Sequence, residues 1–175
     1  MKKLIIVLAA IVMAVYANAA TVSWSMNNII TSPDNADRST YIAYIFDTTA
    51  GFTTITEALA SGDTSVLSSA LGSKAVSSSG AVLAAKAEGT SHVTGDYVTA
   101  FAVILNNTVE DATYFLAVSE KTSASAVSSA GAATVAFGTQ AANTTWTAMA
   151  AVPEPTSGLL MLVGLAGLAL RRRRA

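Results

Sequence analysis

Tyr97-Val98-Thr99-Ala100-Phe101-Ala102-Val103-Ile104-Leu105 is apolar at both odd and even positions and rich in aromatic and β-branched residues. A strand with one wet face alternates apolar and polar side chains, so a run apolar at both parities has to be covered on both faces. Thr40–Phe46 (TYIAYIF) has the same character, and the two together predict central strands of the core. Thr21–Met26 (TVSWSM) alternates instead, placing Val22, Trp24 and Met26 on one face and hydroxyls on the other, the pattern of a half-buried strand.

Further strands are expected at Tyr114–Val118, Ala133–Phe137 and Thr144–Met149, with Asn106–Ala112 as the polar turn of a hairpin. Between the two central runs, Ile55–Ala60 and Asp63–Leu71 have helix-tolerant spacing, with Asp63 as an N-cap and Gly72 as a stop. Ser73–Gly89 is rich in Ser, Ala and Gly and fits a short strand or a loop. Antiparallel strands with one small helical insertion predict a mainly β body, a β-sandwich of jelly-roll or immunoglobulin-like architecture.

The 175-residue chain contains no cysteine, which removes disulfides, thiolate metal sites and a cysteine nucleophile. Between Ala20 and Val152 four basic residues face ten acidic ones, a net charge of −6. A body of that sign repels phosphate backbones, so no nucleic-acid partner is expected. His92 is the sole histidine; a triad with Asp96 and a serine lacks any G-x-S-x-G elbow, and no catalytic residue is assigned. Asp34-Asn35-Ala36-Asp37 misses the ligand spacing of a calcium loop and reads as a solvated turn. Neither metal nor cofactor is expected. Glu110-Asp111 reads as a charged hairpin tip. Trp24 and Trp146 fall in the first and last expected strands, where they pack inward or pair at an edge as a platform for a sugar ring. Asn106-Asn107-Thr108 and Asn143-Thr144-Thr145 match glycosylation sequons but read as turns.

The two ends carry a different kind of signal. Lys2 and Lys3 precede an apolar stretch, Leu4–Val15, and Ala17-Asn18-Ala19 offers small residues to a signal peptidase, so residues 1–19 are expected to be a cleaved signal peptide. At the other end Pro153-Glu154-Pro155 is followed by a charge-free apolar run to Leu170 and then by Arg171, Arg172, Arg173 and Arg174. As a helix, Thr156–Leu170 would be roughly 22 Å long, short of a bilayer core of about 30 Å, and the arginines would snorkel and act as a cytoplasmic stop-transfer cluster. The body, residues 20–151, is then outside, with Ala151–Thr156 as a stiff spacer.

This order of Pro-Glu-Pro, short transmembrane helix and terminal arginine block resembles the PEP-CTERM sorting domain, and the resemblance is confined to the tail, residues 152–175. It implies recognition by an exosortase, an integral membrane peptidase or transpeptidase of Gram-negative bacteria, and delivery through the inner membrane to the cell surface or extracellular matrix. It further implies a non-catalytic structural or adhesive role in surface or exopolysaccharide (biofilm) matrix. A sortase tail is disfavoured because no Leu-Pro-x-Thr-Gly core is present. The other reading is a carbohydrate-binding sandwich held by a plain C-terminal membrane anchor.

Overall fold

A computed structural model describes residues 20–90, 92, 94–128, 133–140 and 145–151. In chain order the elements are β1 (Ala20–Asn27), β2 (Ile42–Asp47), α1 (Phe52–Ala60), β3 (Gly72–Ala75), β4 (Val82–Thr90), β5 (Thr99–Leu105), β6 (Tyr114–Thr122), β7 (Ala133–Thr139) and β8 (Thr147–Ala148). Short 3-10 turns cover Arg38–Thr40, Thr48–Ala50 and Thr64–Ser69. The signal segment and the tail, with its expected transmembrane helix, lie outside the described residues. Among those described, no helix is long and apolar enough to cross a membrane.

The strands form a five-stranded sheet of order β3-β2-β5-β6-β8 and a three-stranded sheet of order β4-β1-β7. All pairings in the larger sheet are antiparallel. In the smaller sheet β1 pairs antiparallel with β4 but parallel with β7, a departure from the wholly antiparallel expectation. The reason is connectivity: β7 lies across the sandwich from β6 and reaches β1 by a crossover, so no tight turn constrains its direction.

The apolar runs of β2 and β5 divide by parity. Ala43, Ile45, Ala100, Ala102 and Ile104 point to a core shared with Val22, Trp24 and Met26 of β1 and Val135 and Phe137 of β7. Phe46, Phe101, Val103 and Leu105 point the other way, into a second core closed by Ile55 and Leu59 of α1 and by Leu67. The central sheet is therefore covered on both faces, by a sheet and by a helical layer, as its sequence demands. Phe46 and Phe101 are cross-strand partners whose rings stack at 5.2 Å, and Phe52 meets Phe101 edge-on at 5.3 Å. The fully buried rings of Phe46 and Phe101 each contribute about 2–3 kcal/mol of apolar transfer.

Ile55 and Leu59, four residues apart, form the buried stripe of α1. The helix starts three residues earlier than Ile55 because Phe52 is drawn into the second core. The second expected helix is a 3-10 stretch, opened by Asp63, whose Oδ1 accepts from Ser65 N at 2.9 Å. Asp37 and Asp47 cap the other two 3-10 turns in the same way, accepting from Ser39 N and Thr49 N at 3.0 and 2.8 Å. Gly72 does not stop a helix but opens β3, where a Cβ would sit 3.2 Å from Ala87 Cβ; the two sheets approach closely there.

Ser73–Gly89 resolves into β3, a turn and β4. Between the pairs Trp24↔Ala85 and Met26↔Val82 the β4 side holds one residue more than the β1 side. This bulge places Ala84 at φ +47° and leaves Leu83 67% exposed.

Candidate functional site

The candidate site is the exit from the described residues, which end at Ala151. β8 is two residues long and pairs with the start of β6 through Tyr114↔Ala148 and Phe115↔Thr147. Beyond it Met149 N donates to Thr113 O at 2.8 Å and Ala150 N donates to Ala60 O at 2.9 Å. The first bond ties the chain to the β5–β6 hairpin and the second to the end of α1. Met149 also packs against the second core. An open groove of about 560 Å³ flanks this exit, lined by Gly62 and Thr64 on one side and Val109, Glu110 and Asp111 on the other.

The hairpin beside the exit is held by a polar clamp. Asn106, only 2% exposed, accepts through Oδ1 from Thr113 N and Tyr114 N, both at 3.0 Å. Its Nδ2 donates to Asp34 Oδ1 at 2.7 Å and to Thr113 Oγ1 at 3.0 Å. Asp34 also accepts from Ser32 Oγ at 3.1 Å and, through Oδ2, from Thr113 Oγ1. The hydrogen bond from Thr113 is the largest influence on Asp34; burial opposes it, and with Ser32 and Asn106 it holds the carboxyl below the ordinary carboxylate range. Asn35 Nδ2 donates to Asn106 O at 2.9 Å and to Thr40 Oγ1 at 2.8 Å. Asp34 and Asn35 thus spend their oxygens and amide on the fold, and Asn106 has no free amide for a glycan. Among the described residues no group of three or more His, Asp or Glu converges on a cation site. The second sequon acceptor, Asn143, lies outside the described residues.

His92 Nε2 lies 2.8 Å from Asp47 Oδ2 without the geometry of a hydrogen bond. Burial raises Asp47, but hydrogen bonds from Thr49 and the neighbouring His92 outweigh it and leave the carboxyl below its ordinary range. Asp96 meanwhile brackets Val127, its carbonyl accepting from Val127 N at 2.8 Å. The structure thus does not bring His92 to a hydroxyl through Nε2 among the described residues.

The two tryptophans do not pair at an edge. Trp24 is on β1, the middle strand of the smaller sheet, fully buried, and Trp146 precedes β8 of the other sheet at 8% exposure. Trp146 meets Tyr41 edge-on at 5.3 Å. Both rings are spent on the core: alternation turns Trp24 inward from β1, and Trp146 packs inward against Tyr41.

Glu110 and Asp111 do sit at a hairpin turn, with Thr108 Oγ1 donating to Asp111 Oδ2 at 3.1 Å. What sequence reasoning missed is the clamp, whose members Asp34 and Asn106 are 72 residues apart; the one local signal was Asn106 opening the turn. The expected sorting residues Pro153, Glu154 and Pro155, the cluster Arg171–Arg174, and Ala17 and Ala19 lie outside the described residues.

No curated protein and no solved structure matches the chain. The match that identifies a part of it begins one residue after the pinned Ala150: residues 151–174 carry the PEP-CTERM protein-sorting motif.

Proposed function

We propose that this is an exported protein whose C-terminal tail is recognised by an exosortase and whose β body is a non-catalytic component of the cell surface or exopolysaccharide matrix. The observation that carries the reading is the motif at residues 151–174, which begins directly after Ala150, itself held by a backbone hydrogen bond to Ala60. Pro153-Glu154-Pro155 is the recognition element, Arg171–Arg174 hold the tail on the cytoplasmic side, and Ala17 and Ala19 direct signal peptidase. The body is a sandwich of jelly-roll or immunoglobulin-like kind, a reading supported by two sheets closing on one core. Its adhesive or structural role is supported by an acidic body rich in Ser and Thr, whose large aromatics are mostly committed to packing.

The test is replacement of Pro153, Glu154 and Pro155 by alanine in the native host. The reading expects the variant to remain in the inner membrane while the parent chain reaches the surface. An unchanged distribution overturns it and favours a plain membrane anchor.

A further inference from the structure

The tail leaves the body from a point that two consecutive backbone hydrogen bonds hold in place, Met149 to Thr113 and Ala150 to Ala60. Pro153 is three residues beyond Ala150 and Pro155 five. A fully extended chain covers at most about 3.5 Å per residue, so the motif begins within about 11 Å of Ala150 and ends within about 18 Å. A body of this length has a radius of gyration of about 14 Å. A protein that grips the motif therefore meets the end of the body from which it emerges.

That end is the groove between the α1 side and the hairpin tip, with Gly62, Thr64, Val109, Glu110, Asp111 and Met149 on its walls. Glu110 and Asp111 give it negative charge, and among the described residues no basic side chain lines it. We propose that this exit face is a contact surface for the membrane enzyme that recognises the motif, matched by a polar, positively charged surface beside that enzyme's motif-binding site. The inference rests on the sorting reading of the tail. The folded body is then part of what the enzyme meets, and the length of the connection is a determinant of that contact.

The experiment places a photo-crosslinking side chain at position 110 of the full chain in the native host, and in a second variant at position 120. Glu120 is exposed on β6, six residues from Tyr114 and so about 20 Å away along the strand. Crosslinks to the processing enzyme are expected to be about tenfold more abundant from position 110 than from 120, as tethering concentrates one face only. Inserting about twelve Gly/Ser residues between Ala151 and Val152, which adds roughly 20 Å of reach, is expected to abolish that excess. Equal crosslinking from the two positions, or an excess that survives the insertion, overturns the exit face as a contact surface. If the parent tail is not processed even with the enzyme present, the sorting reading itself falls and the face with it; processing without the crosslink removes the face alone.

Discussion

Asn106 has the most partners of any side chain in the exit region, and its two faces are both used: the carbonyl oxygen for two backbone amides, the amide for Asp34 and Thr113. Removing it leaves those donors and acceptors without a partner near a buried site, so Asn106→Ala is expected to cost about 3 kcal/mol of unfolding free energy. Urea denaturation measures this, and a loss below about 1 kcal/mol contradicts the clamp. Asp34, Asp37 and Asp63 are each held below the ordinary carboxylate range, chiefly by hydrogen bonds from Thr113, Ser39 and Ser65. A carboxyl depressed in the folded state contributes stability that is present above its unfolded pKa and lost as pH falls through the folded one. The melting temperature is therefore expected to hold from about pH 7 to about pH 5 and to drop below about pH 4. Asp34→Asn should lower the plateau and make the acid drop shallower, by a small amount because the group is exposed and solvent screens it; parallel curves for parent and variant remove Asp34 from the account. The sequence shows Asn106 as a turn former, but the clamp depends on a partner far along the chain, and no local pattern encodes that pairing.

At the scale of elements, legibility follows from how much each side chain's fate is decided locally. β5 and β2 are readable because both parities are apolar, and β1 because Val22, Trp24 and Met26 alternate with serine and threonine. The Asp-x-Ser/Thr pattern repeats at Asp37, Asp47 and Asp63 and marks the three 3-10 turns of the described residues, a local signal of which the cap at Asp63 is the part the spacing predicts. β4 is different. Its bulge is fixed by pairing with β1, and Ala84 adopts its left-handed conformation because the ladder demands it, not because alanine prefers it. Ala84→Gly is thus expected to leave stability unchanged or raise it by up to about 1 kcal/mol, whereas Ala85→Gly, in the buried strand beside it, should lower it by about 1 kcal/mol. Thermal melts of the two variants decide the matter, and a clear loss in Ala84→Gly would mean the bulge is not the strained element described. The parallel β1–β7 pair was likewise not legible, since it joins strands more than a hundred residues apart.

For the whole molecule, sequence and structure divide the work. The tail is legible because its features are linear and follow one another in the chain, a proline-flanked acid, an apolar run and a cluster of arginines, and the sorting-motif match covers them. The body's architecture depends on which face of the central sheet each apolar residue covers, and that becomes visible only when α1 is seen on one side and the β4-β1-β7 sheet on the other. The described residues end at Ala151, and the sorting-motif match begins at that residue. The most direct measurement is the intact mass of the protein recovered from its native host, with fractionation, in the presence and absence of a functional exosortase. The account expects loss of the Leu159–Arg174 segment, with appearance at the surface or in the medium, only when the enzyme is present. A full-length tail retained in the membrane under both conditions contradicts it.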